Sequence, residues 1–161
     1  MTHLNFRKAA RADVAMLIDF IRALASHERR PEAATVTDAS LEQLLFGESK
    51  LADAYIGFVD EKAAAFAVVA QRFSSFKGER SLYLEDMLIV DDYRGQGLGT
   101  QLFAFVADLA VSGGYSGLNW SALDDNDVAI GFYNHIKAEE ETGVLHFSMD
   151  AEKLQQYLEN M

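Results

Sequence analysis

The stretch Arg94-Gly95-Gln96-Gly97-Leu98-Gly99-Thr100 constrains this chain more than any other. It joins an apolar segment of strand character to an amphipathic segment of helical spacing, so it reads as strand, turn, helix. Alternating glycines open backbone conformations closed to other residues and allow close approach to a ligand. The helix that follows directs its unpaired N–H groups and the positive end of its dipole back at the turn. The two together suit an anion such as a pyrophosphate, to which Thr100 would add a hydroxyl and Arg94 a positive charge; the alternative is a tight turn that happens to be rich in glycine. Two familiar phosphate turns do not match. Counting from Gly95, the sixth position of G-x-G-x-x-G is Thr100, and the Gly-Lys-Ser/Thr of a P-loop is absent.

Around this turn the apolar spacing predicts an α/β order. Leu4 to Lys8 reads as a first strand, and Asp13 as the cap of a helix whose Val14, Leu17, Ile18, Ile21, Leu24 and Ala25 share one face. Ser26 to Ala34, with the single proline Pro31, breaks that helix. Thr37 to Phe46 reads as a second, with Leu41, Leu44 and Leu45 inward. Ala54 to Val59 and Ala63 to Phe73 flank Asp60-Glu61-Lys62 as a hairpin, and Arg80 to Val90 is a longer strand. Thr100 to Val111 is the helix after the turn, ended by Gly113-Gly114. Gly117 to Ala122 reads as a strand, Asp127 to His135 as a helix, Val144 to Asp150 as a final strand and Ala151 to Tyr157 as a terminal helix in which Leu154 and Leu158 pack. The expectation is a mixed, mostly antiparallel sheet flanked by helices in one domain over residues 1–161.

Composition narrows the function. A net charge of −11 opposes binding to a phosphate backbone and favours the approach of cationic small molecules. No apolar run reaches the length of a membrane span, and no signal-peptide core precedes Arg7. With no cysteine there is no disulfide and no thiol nucleophile. A cytoplasmic protein without nucleic-acid or membrane partners is expected. His3, His27, His135 and His146 lack metal-ligand spacing. Asp124-Asp125-Asn126-Asp127 lacks the spaced ligands of a calcium loop, so no metal is expected.

The string Tyr83-Leu84-Glu85-Asp86-Met87-Leu88-Ile89-Val90-Asp91-Asp92-Tyr93-Arg94-Gly95-Gln96-Gly97-Leu98-Gly99 resembles the GCN5-related N-acetyltransferases (GNAT), and within them the spermidine/spermine acetyltransferase branch. Ala122 to Tyr133, with Asn126 and Phe132-Tyr133, resembles the later part of the same pattern. The resemblance implies an acetyl-CoA-dependent N-acetyltransferase acting on a primary amine of a small molecule, a diamine, polyamine or lysine analogue, through direct attack in a ternary complex. It also implies a homodimer. Met87, Leu88 and Ile89 would offer backbone N–H groups to the thioester. Arg94, Gly95, Gln96, Gly97, Leu98, Gly99 and Thr100 would hold the pyrophosphate. Asn126, with Val128 and Ala129 beside it, would meet the pantetheine arm or cap the next helix. A β-bulge is implied near Glu85, splaying its strand from the neighbour.

An amine with a pKa near that of lysine, about 10.4, must lose a proton before it attacks. Glu85 on its apolar strand is read as the carboxylate that binds the amine and helps remove that proton; the alternative is a structural ion pair. Asp86 is read as structural. Tyr133, by the resemblance, protonates the departing CoA sulfur; otherwise it fills a helix–sheet interface. On the acceptor side the resemblance points to His27, Glu28, Asn119, Trp120 and Ser121, with Trp120 equally suited to the core. Four residues depart from the pattern, His27 among them in place of a tyrosine. Arg29 and Arg30 stand where polyamine enzymes carry acids, which favours a substrate bearing a carboxylate. Lys137 occupies the position of a glycine. Two other readings remain: acetylation of a protein lysine or N-terminus, and a non-catalytic acyl-CoA-binding module.

Overall fold

Strand parity sorts the apolar residues of the first part of the chain into two sets. A computed structural model, describing residues 1–161, shows what each set covers. Five strands run side by side in sequence order: β1 (Asn5–Lys8), β2 (Ala52–Val59), β3 (Lys62–Ser74), β4 (Glu79–Ile89) and β5 (Leu118–Trp120). The first four are antiparallel; β5 runs parallel to β4. Ile56, Phe66, Val68 and Leu88 face the helices α1 (Val14–His27) and α2 (Asp38–Phe46). Ala65, Ala67, Val69, Leu82 and Leu84 face α3 (Leu98–Ser112), which presents Leu98, Leu102, Val106 and Ala110. A sheet buried on both faces explains why its central strands read as nearly continuous apolar runs. The expected mixed, mostly antiparallel α/β architecture is the one observed.

The chain forms two compact units, Met1–Leu123 and Asp124–Met161. All five strands lie in the first. There the β2–β3 hairpin turns through Asp60 and Glu61 at φ 45° and 65°, the left-handed pair that a two-residue hairpin needs. Asp13 precedes α1 as expected, yet its carboxylate does not cap that helix. It accepts two hydrogen bonds from the Arg7 guanidinium, at 2.7 and 2.9 Å, and one from the Ala10 N–H. Those bonds, the Arg7 pair foremost, hold its pKa down at about 2. The pair braces β1 against the start of α1. In α2, Leu41 and Leu45 are buried while Leu44 is exposed, contrary to its expected inward position.

The second unit carries α4 (Asp127–His135) and α5 (Ala151–Glu159). The strand expected at Val144–Asp150 is not formed. Its alternation suits a strand, but this unit offers it no second strand, and a lone extended segment cannot satisfy its own backbone. Val144, Leu145, Phe147 and Met149 are exposed, as are Leu154 and Leu158 of α5, which were expected to pack. No helix is long and apolar enough to cross a membrane.

Candidate active site

β4 carries the centre of the site, through one irregularity in its pairing with β3. Val68 lies opposite Asp86 and Val69 opposite Leu84, so Glu85 has no counterpart and bulges. The extra residue shifts the phase of the strand. Before it, Leu82 and Leu84 face α3; after it, Met87 and Ile89 pack on that side. Directly paired residues share a face. Asp86 therefore lies on the α1 side with Val68 and Leu88, and Tyr83 lies there with Ala70 and Asn119. β5 pairs with β4 only from Leu82 to Leu84. Past the bulge, from Glu85 to Ile89, no strand covers that edge of β4. The side chains of Met87, Leu88 and Ile89 all enter the core, which leaves only their backbone groups for a ligand.

Three acids gather at the bulge. Glu85 is exposed and forms no ion pair; Asp86 is partly buried and equally unpaired; Glu28 caps the end of α1. Burial pushes the Asp86 carboxyl up to about 6, and the neighbouring charges of Glu85 and Glu28 push the same way. An unpaired carboxylate does not fit the structural role read for Asp86 in the sequence. Its signal was present there as an acid inside an apolar strand; what the sequence lacked was the phase change that puts it on the α1 face with Val68 and Leu88.

After β4 the chain makes a short turn at Asp91–Tyr93 and enters the glycine segment. Gly95 and Gly97 adopt φ 72° and 75°, and nothing lies within 4 Å of where a Cβ on either would stand. Gly97 is the N-cap of α3 and supplies no side-chain cap, so the first N–H groups of the helix carry no side-chain partner from it. The side chain of Leu98 is in the core, and only its N–H remains for the turn. Arg94 makes one contact through each of its three side-chain nitrogens. Its Nε donates to the Ile89 carbonyl at 2.9 Å, Nη1 meets His27 Nδ1 at 2.8 Å, and Nη2 pairs with Asp91 at 3.0 Å. Gln96 bonds Thr2 and the Asp92 carbonyl. These two side chains fasten the turn, and the cradle itself is made of backbone.

His27, expected on the acceptor side, is thereby tied to the glycine turn. Asn119 lies on the acid-bearing face, and the Ser121 hydroxyl is 2.8 Å from that of Tyr83. Trp120 points the other way and packs edge-on against Phe103 at 5.2 Å in the α3 core. In the second unit Asn126 Oδ1 accepts from the Ala129 N–H at 3.1 Å, the helix-cap alternative, with Val128 exposed beside it. The Tyr133 ring stands edge-on to Phe132 at 5.6 Å.

A bulged acid strand, an uncovered backbone edge and a glycine cradle in immediate succession describe a site for an anionic donor and a cationic acceptor. A sequence model of the Acetyltransferase (GNAT) family matches residues 18–136. The chain belongs to that family. It is a GNAT N-acetyltransferase, and GNAT enzymes use acetyl-CoA as co-substrate. The chain is similar to the thialysine N-epsilon-acetyltransferase of Bos taurus, 29% identical over 153 residues and 88% of each chain. It is similar to the L-ornithine N5-acetyltransferase of Arabidopsis thaliana, 32% identical over 80 residues, covering 50% of this chain and 35% of that one. An integron cassette protein from the mobile metagenome of V. cholerae shares the fold at a TM-score of 0.79 with 20% identity, covering 96% of this chain and 97% of that one. The turn has room for the GNAT co-substrate to approach the backbone, because nothing of the protein lies within 4 Å of where a Cβ on Gly95 or Gly97 would stand.

Proposed function

We propose that this GNAT enzyme transfers the acetyl group of acetyl-CoA to the distal primary amine of a small amino acid, in one domain and by direct attack. The observation that carries the reading is the unpaired acid group Glu28, Glu85 and Asp86 at the β4 bulge, directly upstream of the glycine turn. Exposed Glu85 meets the ammonium. Asp86, with its pKa near 6, takes the proton, since a base works best when its pKa lies close to the working pH. The freed amine forms a bond to the acetyl carbon while the uncovered backbone N–H groups between Met87 and Ile89 steady the carbonyl oxygen. The carbon–sulfur bond then breaks, Tyr133 supplies a proton to the sulfur, and the second proton that the nitrogen loses on becoming an amide restores the tyrosine through solvent. The turn from Gly95 to Thr100 holds the pyrophosphate through N–H groups.

Two features favour an amino acid over a polyamine. Arg29 and Arg30 carry no ion pair and add positive charge next to Glu28, which repels a poly-cation and suits a carboxylate. Relatives named for thialysine and ornithine acetylation agree with this choice. The chain also works as a homodimer in this reading, the exposed apolar residues of 144–158 being what a second copy covers; a monomer in sedimentation would remove that part.

The test is acetyl-CoA turnover against amino acids, diamines, polyamines and aminoglycosides. Glu85→Gln should lower kcat/KM about 100-fold, and Tyr133→Phe should lower kcat about 10-fold or more. Unchanged turnover in both variants would overturn the assigned roles. Efficient polyamine turnover that disappears in Glu28→Gln would replace the amino-acid reading with a polyamine one.

A further inference from the structure

The acid group explains how an amine is held and leaves open what reads the rest of the substrate. The same sheet face carries a cation, Arg72, that forms no ion pair. Arg72 lies on β3 in phase with Phe66 and Val68, so it shares the face of Asp86 and Tyr83. Its guanidinium sits over the Tyr83 ring, 5.2 Å from the centroid. That ring is itself fixed, its hydroxyl 2.8 Å from that of Ser121. Glu79 lies on the same face further along the strand, yet Arg72 leans toward the ring and forms no ion pair.

Arg80 shows what a purely structural arginine looks like in this fold. It also sits over a tyrosine, Tyr115, at 4.5 Å, but on the α3 side, and it spends its donors on the Gly113 carbonyl at 2.7 Å. Arg72 has the stacking without the acceptor. Stacking engages the face of a guanidinium and leaves the in-plane N–H fork free, which is the geometry that receives a carboxylate.

The spacing agrees. Asp86 pairs with Val68, and Tyr83, beneath the cation, pairs with Ala70. Two residues of strand separate these levels by about 7 Å. An amine on a side chain of about five bonds lies roughly 6 Å from its carboxylate. Acids at one end and a free arginine at the other match a zwitterion lying along the strands.

We infer that Arg72 is a specificity residue that grips the carboxylate of an amino-acid acceptor while its distal amine meets Glu85 and Asp86. The inference rests on the proposed acetyl transfer to a small amine and adds the group that selects among amines. It differs from the part given to Arg29 and Arg30 above, which then contribute general charge and not the contact.

Matched pairs that differ only by the carboxylate test it: ornithine against putrescine, and lysine against cadaverine. Arg72→Gln should raise KM for the amino acids about 10- to 100-fold while kcat and diamine turnover stay as they were. Arg72→Lys should recover part of the loss, a point charge replacing a fork. Equal loss for both members of a pair would reduce Arg72 to a structural role and overturn the inference. So would a preference abolished by a double Arg29→Gln, Arg30→Gln variant and untouched in Arg72→Gln. Should the wild type acetylate neither member of any pair, the acceptor reading itself fails. Calorimetric binding of ornithine to wild type and Arg72→Gln then decides the inference separately: binding lost with the arginine supports it, and binding unchanged or absent in both overturns it.

Discussion

The glycine turn and the ends of helices α1 and α4 meet the same backbone demand with opposite residues. Gly95 and Gly97 take the left-handed conformation at φ 72° and 75°. At the end of α1 it is Arg29, at φ 59°, and at the end of α4 it is Lys137, at φ 62°. All but glycine lose on the order of 1–2 kcal/mol in that region. At the turn, in the proposed reading, the missing side chain is what leaves room for the donor's phosphates. At Arg29 and Lys137 glycine would serve the fold better, and a cationic side chain is carried at some cost. In the proposed reading the glycine turn works through its backbone alone, whereas Arg29 and Lys137 each carry a charged side chain in a strained conformation.

The largest effect that can break this comparison is a side chain in the cradle. Gly97→Val should raise KM for acetyl-CoA more than 100-fold, and Gly97→Ala about 10- to 100-fold, with a stability loss of only about 1–2 kcal/mol. Nothing in the protein obstructs the added atoms. A donor KM that does not move in Gly97→Val would mean that the phosphates bind elsewhere.

The next effect sharpens the acceptor half. The Asp86 carboxyl is held up at about 6, against an ordinary value near 3.8. Acting as the base, it makes kcat/KM climb with pH up to about 6 and level off above. Stability moves the other way. Between pH 4 and 6, approximately, the folded chain keeps a proton that the unfolded chain has released, so stability falls as pH rises through that window and the full penalty stands above it. Asp86→Asn should cost about 100-fold or more in kcat/KM, remove the acid limb of the profile, and raise stability at neutral pH by on the order of 1–3 kcal/mol. A variant that loses activity and stability together would return Asp86 to the structural role first read for it.

That residue also marks where sequence reading stops. The glycine turn was legible because φ above zero, free N–H groups and a helix start are all local properties. The bulge at Glu85 came only through resemblance, since alternation alone puts Glu85 and Asp86 on opposite faces without saying which face matters. Once the register is known, Val68 opposite Asp86 answers that question. Arg72 and Tyr83 escaped notice for the same reason: their meeting depends on a diagonal neighbour relation across β3 and β4. His27 and Arg94 are 67 residues apart, and no local pattern links them. The strand at Val144–Asp150 failed in the other direction. Its alternation is genuine, but a strand exists only where a neighbour completes its hydrogen bonds.

The smallest effect tests the cost carried by the cationic ends. Lys137 closes α4 in a Schellman arrangement: its N–H donates to the Asn134 carbonyl at 3.0 Å and the Ala138 N–H to the Tyr133 carbonyl at 3.0 Å. Gly114 closes α3 the same way at φ 67°, with its N–H on Val111 and that of Tyr115 on Ala110. The backbone work is identical and only the residue differs. Lys137→Gly relieves the left-handed strain but frees the unfolded chain, so the net gain should be about 0.5–1 kcal/mol, a rise of roughly 2–4 °C in melting temperature. Gly114→Ala should lose about 1 kcal/mol. Opposite signs at two matching caps would show that Lys137 is kept for its charge; a loss on Lys137→Gly would instead mean that the side chain stabilises the cap, and the contrast between glycine and a strained cation at a left-handed position would shrink to Arg29 alone.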